Sequence, residues 1–293
     1  MSLKETDRLY FELNQPKTIM EKFKPVLKFG GIFIVTLMAL VLLDLFCCSM
    51  IDVFGIPVSK SVIDTIIAEC LFLVPVIVAW KYDLIDLPLE FRNGKDTLSK
   101  MKLPFFTGAL WMVVKLSLGY VLFNVEGSEE VQRTLSRSLE TWFGLFMFGV
   151  GGPVVEELLF RTAVLGLMLR SGVKPWVAIV LSAFLFGICH FNVIQFIHAS
   201  LFGLMLGYIY YKTNNILVVM IIHVFNNTLG AVLLGMFFLK FNAPNAVGIS
   251  VSVVFMIVFA IAGVFVMKRF ISRYPQPQFV ENEELDEPVM EEC

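Results

Sequence analysis

The sequence FGGIFIVTLMALVLLDLFCCSM, residues 29–50, is long and apolar enough to cross a membrane as one helix, because such a crossing needs about 20 mostly apolar residues. Outward from this stretch, the same template predicts further spans at roughly 61–80, 103–124, 141–169, 175–194, 195–212, 215–238 and 247–267. The chain is therefore expected to be all-α, a polytopic membrane helix bundle with about eight transmembrane helices.

The composition agrees with a membrane protein. Hydrophobic residues make up 57% of the 293 residues and charged residues 16%, and the mean hydropathy is +0.79. Soluble domains are instead about 45–50% apolar and about 25% charged. The net charge of -2 provides no basic field of the kind that nucleic-acid-binding proteins use. We therefore expect the lipid bilayer, and not nucleic acid, as a partner.

The positions of lysine and arginine predict the orientation. Cytoplasmic loops carry the excess of these residues, and most of them fall in cytoplasmic segments if the N-terminus is inside. A multi-pass protein of the cell membrane with both termini cytoplasmic is expected. Its predicted parts are an N-terminal segment with three transmembrane helices over 1–139, a core with the last helix over 140–271, and a disordered acidic tail over 272–293.

The fourth predicted span contains an interruption. The stretch 141–169 is long for a single span and includes Gly149, Gly151, Gly152 and Pro153. Proline is well tolerated in the first turn of a helix. The sequence thus predicts a short lead-in, a break, and a helix that starts near Pro153.

Polar side chains that are costly in a membrane concentrate in the second half of the chain. An ionisable group at bilayer depth costs about 2.5–3.5 kcal/mol on insertion scales, so it is by default a functional hypothesis. Three predicted helices carry such groups, in the segments PVVEELLFRTAVLG (153–166), SAFLFGICHF (182–191) and VVMIIHVFNNTLG (218–230).

Helical spacing sorts the groups of the first segment. At about 100° per residue, Glu157 and Arg161 share a face and can pair. Glu156 is turned about 140° away from Arg161, which leaves its carboxylate without this partner. An unpaired carboxylate in a low-dielectric site is suited to act as a general base on water.

The same spacing rule groups the side chains of the other two segments. His223 and Asn227 project together from one helix, and Phe186 lies beside His190 on another. Peptide hydrolysis needs an activated water and donors where the oxyanion develops. A glutamate with a histidine can supply the first requirement, and a histidine with an asparagine the second.

At these residues the chain resembles the CAAX prenyl proteases and bacteriocin-processing enzymes, the intramembrane glutamic peptidases of the CPBP or Abi family. The family signature is EExxxR, FxxxH and HxxxN or HxxxD on successive helices. It is matched in order by Glu156-Glu157 with Arg161, by Phe186 with His190, and by His223 with Asn227. The resemblance covers roughly residues 140–235.

The resemblance implies a CAAX-protease-like core with intramembrane endopeptidase activity. In that family pattern Glu156 and His190 activate water, His223 and Asn227 form the oxyanion hole, and the remaining Glu157 and Arg161 orient the site. Substrates of the implied kinds are prenylated protein tails, leader-bearing peptides such as bacteriocin precursors, and membrane-associated signalling peptides. Neither a metal nor another cofactor is implied.

Three other interpretations stand beside this one. Two glutamates and two histidines are also zinc-ligand types, but HExxH is absent and no carboxylate stands at helical spacing from either motif histidine. A non-catalytic scaffold or self-immunity protein would keep the site for binding. A proton-coupled transporter would use Glu156 and the histidines as a relay, with Asp64, Glu69 and Lys115 as candidate residues of the transport path. Alternatively, Lys115 has a structural role and pairs with the carboxylate of Asp64 or of Glu69 across helices.

Some residues of the predicted spans are better explained by packing. Gly203 and Gly207 form a small-xxx-small face of the kind that lets membrane helices approach closely, and Gly230 and Gly235 suggest the same. His198 matches none of the motifs. We expect it to be structural or to lie near the mouth of the site.

Overall fold

The computed structural model describes residues 19–54, 60–85, 97–122, 129, 133, 136, 141–240 and 246–274. Within them we number eight helices of 14 or more residues. They are α1 (Ile19–Phe54), α2 (Lys60–Lys81), α3 (Thr97–Val121), α4 (Trp142–Arg170), α5 (Pro175–Ile188), α6 (Val193–Thr213), α7 (Ile216–Lys240) and α8 (Ala246–Arg273). The described residues contain no strand, so the all-α prediction is confirmed. The predicted disordered tail lies, from residue 275 onward, outside the described residues.

Five of the helices are long and apolar enough to cross a membrane, judged by length and composition over the described residues: α1, α3, α4, α6 and α8. The other three contribute shorter apolar stretches at Cys70–Lys81, Pro175–Ile188 and Ile216–Gly230. The protein is thus a multi-pass membrane protein. A helix forms at each predicted position, but only these five meet the criterion for a full span.

The fifth predicted span, 175–194, is the one whose helix is shortest relative to the prediction. Its helix α5 ends at Ile188 because the chain turns sharply before α6. Phe191 has a positive φ of 49°. Asn192 then caps α6, since its side-chain oxygen accepts hydrogen bonds from the backbone N–H groups of Ile194 and Gln195. The sequence predicts a boundary between two spans at 194/195, and the structure places it a few residues earlier, between Ile188 and Val193.

The predicted break before Pro153 is wrong. Helix α4 continues from Trp142–Arg170 through the glycines and the proline. It does so by changing its winding: π-helical turns at Met147–Gly151 and Leu158–Gly166 enclose an α-helical stretch at Gly152–Glu157. Single π-helical turns inside α-helices are a frequent feature of functional sites.

Side chains of α7 explain why the helix survives its proline. Pro153 has no N–H, so carbonyls in the preceding turn lose a donor. The Thr228 hydroxyl donates to the Gly149 carbonyl at 3.1 Å, and the Asn227 amide donates to the Phe148 carbonyl at 3.4 Å. Neighbouring side chains that satisfy freed carbonyls are what allows proline inside membrane helices.

Close helix contacts bring the bundle together around α4. Helices α5 and α6 pack through glycines, as predicted for Gly203 and Gly207. A Cβ added at Gly203 would lie 3.1 Å from Cα of Ala183, and one at Gly207 would lie 3.4 Å from Ile179. Helix α7 approaches α3 at Gly108, whose carbonyl accepts a hydrogen bond from the amide of Asn226 at 3.2 Å. Helix α8 packs on the outside, against α3.

Candidate active site

The centre of the site is the carboxylate of Glu157, which is fully buried on α4. One oxygen, Oε1, lies 2.7 Å from Nδ1 of His223 on α7. The other, Oε2, lies 2.9 Å from Nε of Arg161 one turn further along α4. The pairing of Glu157 with Arg161 that helical spacing predicted is confirmed.

Arg161 is itself held from two sides. Its side chain is fully buried, and its guanidinium carbon lies 5.1 Å from the centre of the Phe186 ring on α5. A buried cation over an aromatic face is attracted by the ring quadrupole. Since a buried ion pair keeps its geometry only with good partners on both sides, Phe186 helps to fix the orientation of Glu157.

His223 joins the two adjacent glutamates. Its Nδ1 faces Glu157, and its Nε2 lies 3.5 Å from Oε2 of Glu156. Because a carboxylate accepts, we assign the Nδ1 proton to the bond with Glu157. The expectation that Glu156 is unpaired is corrected: spacing along α4 compares residues of one helix only, and the partner comes from α7.

The two glutamates differ in their access to water. The side chain of Glu157 is 0% exposed, whereas that of Glu156 is 17% exposed. Glu157 is also engaged through both of its oxygens. Glu156 is therefore the carboxylate of the pair that is able to meet a water molecule.

His190 lies just after α5, beside the same aromatic ring. Its Nδ1 is 3.0 Å from the Phe186 carbonyl, so we place the Nδ1 proton in this bond and leave Nε2 as an acceptor. The rings of Phe186 and His190 meet edge to face at 5.2 Å, as neighbours four residues apart, and the Phe186 ring also contacts His223 at 5.8 Å. Among the described residues, neither a hydrogen bond nor an ion pair joins His190 to Glu156.

Asn227 lies one helical turn beyond His223 and is half-buried. One hydrogen of its amide is directed to the carbonyl of Phe148 on α4, and a primary amide has a second to offer. The structure therefore gathers Glu156, Glu157, Arg161 and His223 into direct contact. It adds His190 through Phe186, and it ties Asn227 to the backbone of α4.

Two aromatic residues at the site, Phe202 and Trp111, belong to none of the three sequence motifs. Phe202 on α6 contacts the His223 ring edge to face at 5.1 Å. Trp111 on α3 stacks on Phe202, with centroids 6.1 Å apart and planes at 14°. Phe202 thus contacts the imidazole as Phe186 does, and Trp111 packs behind Phe202. Their positions depend on contacts between helices, which hydropathy does not encode.

Lys115 on α3 faces α7, since its Nζ would lie 3.7 Å from a Cβ placed on Gly230. The pairing of Lys115 with Asp64 or Glu69 stays a prediction. The side chains of Asp64 and Glu69, its predicted partners, lie outside the described residues. His198 is half-buried on α6.

Glutamate and histidine side chains are also common zinc ligands, so their arrangement bears on the metal alternative. The two nitrogens of His223 face different carboxylates. In the part of the chain that the structure describes, no group of three or more His, Cys, Asp or Glu side chains is arranged to hold a metal ion.

An apolar groove of about 700 Å³ lies beside the site, between α3, α4 and α7. Phe105, Val154, Val224 and Thr228 are among the residues that line it. Val154 is two residues from Glu156, and Val224 follows His223 directly. The groove therefore runs along the helices that carry the site.

Comparison with known proteins identifies the region that holds the site. Residues 138–229 match a family model described as Rce1-like, type II CAAX prenyl endopeptidase. The matched range contains all three motif segments and agrees with the region of resemblance in the sequence. The chain matches no curated protein and no solved structure.

Proposed function

We propose that residues 138–229, which match the Rce1-like CAAX prenyl endopeptidase model within a multi-pass membrane protein, form a metal-independent, glutamate-type endopeptidase. Its substrates are membrane-associated peptides, such as lipidated protein tails or leader-bearing precursors. The observation that carries the proposal is His223 placed between Glu156 and Glu157, with distances of 3.5 Å and 2.7 Å.

Glu156 is the proposed general base. It is the more exposed glutamate, and a base must lie within hydrogen-bond reach of the water whose proton it takes. His190 assists from the other side, because its Nδ1 is bound to the Phe186 carbonyl and its Nε2 is left to accept. Water activated between them attacks the carbonyl carbon of the substrate.

His223 and Asn227 are the proposed donors to the oxyanion. Glu157 accepts from Nδ1 of His223, which holds the imidazole in one orientation, much as the aspartate of a catalytic triad does. When Nε2 of His223 also carries a proton, this N–H and the second amide hydrogen of Asn227 are available for the negative charge that develops on the substrate oxygen. Arg161 balances the charge of Glu157.

The apolar groove supports a substrate that arrives from the membrane. Its lining by Phe105, Val154 and Val224 suits apolar side chains or a hydrocarbon chain. The groove is formed in part by α4 and α7, the helices that carry Glu156 and His223. This supports membrane-associated substrates over soluble ones.

A Glu156→Gln variant tests the proposal. Removal of a general base is expected to lower the cleavage rate by about 10²–10⁴-fold, while membrane insertion and the elution volume of the purified protein stay unchanged. The matched control is Glu129→Gln, because Glu129 is an exposed carboxylate. Comparison of peptide termini in cells with the wild type and with Glu156→Gln should reveal a precursor that accumulates uncut.

Other outcomes contradict the proposal. A Glu156→Gln protein that cleaves at the wild-type rate excludes the glutamate as base. A cellular phenotype that survives the substitution supports a scaffold or immunity role. Solute flux that depends on pH in protein-containing vesicles, and is lost in Glu156→Gln, supports a proton-coupled transporter.

A further inference from the structure

Ser182 on α5 binds the backbone of α4. Its side chain is 1% exposed, and its hydroxyl donates to the carbonyl of Phe160 at 2.8 Å. A serine inside a helix often donates to the carbonyl four residues earlier in the same helix, as Ser49 does to Leu45 at 2.8 Å. The hydroxyl of Ser182 instead crosses from one helix to another.

The carbonyl that accepts this bond lies between the two members of the buried ion pair. Phe160 belongs to the π-helical segment Leu158–Gly166, which begins directly after Glu157 and contains Arg161. Backbone hydrogen bonds in π winding join residues five apart, whereas those of an α-helix join residues four apart, so each residue turns the helix by a smaller angle. The winding of this segment therefore sets the direction of Arg161 relative to Glu157.

A hydroxyl from another helix also reaches the first π-helical segment of α4. Thr228 on α7 donates to the carbonyl of Gly149, which lies within Met147–Gly151. Serine and threonine side chains and local π-helical adjustments are among the ways in which membrane helices satisfy freed backbone groups. The π-helical segments on either side of Glu156 and Glu157 are thus each bound by a hydroxyl of a neighbouring helix.

The same face of α5 also contacts the side chain of Arg161. Ser182 and Phe186 are four residues apart and therefore lie on one side of α5. The Phe186 ring lies 5.1 Å from the guanidinium carbon of Arg161 and 5.1 Å from the ring of Phe160. Helix α5 thus holds this part of α4 twice, at the backbone through Ser182 and at the cation through Phe186.

We propose that Ser182 is a positioning residue that keeps α4 in π-helical winding after Glu157 and so keeps Arg161 aligned with this carboxylate. Since Glu157 also accepts the bond from Nδ1 of His223, a change of winding displaces the carboxylate from the imidazole as well. Ser182 acts through the backbone of α4 and takes no part in proton transfer. The coupling of Ser182 to the ion pair is independent of activity, whereas its effect on catalysis rests on the proposed peptidase function.

A double-mutant cycle on thermal unfolding tests the coupling without a substrate. The four proteins are the wild type, Ser182→Ala, Glu157→Gln and the double variant, all in the same nanodiscs. If the hydroxyl and the ion pair support each other, Ser182→Ala lowers Tm less in the Glu157→Gln background than in the wild type. Equal shifts in both backgrounds overturn the proposal. If Glu157→Gln yields no folded protein, Arg161→Lys replaces it under the same criterion.

Ser49→Ala is the matched control for this cycle, because it removes a hydroxyl that donates over the same distance within α1. Distant and independent sites have additive effects. Ser49→Ala should therefore shift Tm equally in the wild type and in the Glu157→Gln background.

Cleavage of a quenched fluorescent peptide with a farnesylated CAAX terminus tests the catalytic consequence. We expect Ser182→Ala to lower kcat about ten- to a hundredfold with KM unchanged, since a displacement of about 1 Å caused by a remote substitution can cost about a hundredfold. Ser182→Thr keeps a hydroxyl and should retain most of the wild-type kcat. Ser49→Ala should leave kcat unchanged.

A Ser182→Ala protein with a lowered Tm and the wild-type kcat has lost packing alone and overturns the positioning role, as do equal losses of kcat in the alanine and threonine variants. If Ser182→Ala yields no folded protein, Ser182→Cys, which has a weaker donor, is compared with Ser182→Thr. A lower kcat in the cysteine variant supports the proposal, and equal values overturn it. Absence of cleavage by the wild type counts against the proposed peptidase function instead, and the thermal cycle still decides the coupling of Ser182.

Discussion

His223 Nδ1 lies 2.7 Å from Oε1 of Glu157, and both side chains are buried. This bond joins α7 to α4 and fixes which nitrogen of the imidazole faces the more exposed Glu156. The same carboxylate holds Arg161 through its other oxygen. One fully buried glutamate thereby sets the orientation of a histidine and an arginine on two helices.

A Glu157→Gln substitution should destabilise the protein strongly. The uncharged amide cannot neutralise Arg161, and removal of one partner of a buried pair costs about 3–5 kcal/mol. Thermal unfolding in nanodiscs measures the effect as a Tm lowered by several degrees. Glu129→Gln breaks an exposed pair with Arg133 and should leave Tm unchanged. A similar Tm for both variants would contradict the structural role of Glu157.

A Thr228→Val substitution should destabilise α4 at its proline. The Gly149 carbonyl would lose the hydroxyl that donates to it at 3.1 Å, and an unsatisfied buried polar group costs about 1–3 kcal/mol. Thr36→Val on α1 is the control, because the Thr36 hydroxyl donates to the carbonyl of Ile32, which lies within a regular helix. We expect Tm to fall more in Thr228→Val than in Thr36→Val. A larger fall in Thr36→Val would show that Thr228 does not support the π-helical turn.

A Gly187→Ala substitution should disturb the contact of α5 with α6. The new Cβ would lie 2.9 Å from the Phe196 carbonyl oxygen, and this backbone atom can move only if the helices separate. Overpacking of this kind costs about 1–3 kcal/mol. At Gly263 on α8 a Cβ meets nothing within 4 Å, so Gly263→Ala should be neutral or slightly stabilising. Equal Tm values for the two variants would argue against the close contact.

Cleavage should be insensitive to chelators. The proposed mechanism activates water with Glu156 and His190 and uses no metal ion. Incubation with EDTA or 1,10-phenanthroline, followed by a cleavage assay, should leave the rate within experimental error of the untreated enzyme. Loss of activity that added zinc restores would establish the metal alternative.

The sequence predicted the helices well because an apolar run of this length has few other stable arrangements. It also predicted the pairing of Glu157 with Arg161, since four residues along one helix determine that contact. Contacts between different helices could not be predicted from residue spacing along one helix. The contact of Glu156 with His223 joins α4 to α7, and spacing along one helix does not determine such a contact.

The interruption predicted at Pro153 failed for a related reason. Local rules treat the lost N–H of proline as a cost that ends a helix. The compensation comes from Thr228 and Asn227, more than seventy positions away in the chain. The roles of His190 and Asn227 in catalysis stay predictions, with Glu156→Gln as the first test of the site they belong to.

The short length of α5 has a consequence for how reactants arrive. Its 14 residues rise only about 21 Å, less than the roughly 30 Å of hydrocarbon that a membrane presents. A helix shorter than the hydrocarbon thickness is accommodated by, among other responses, local thinning of the bilayer. We expect such thinning near the turn at Phe191, and it would bring interfacial water closer to His190.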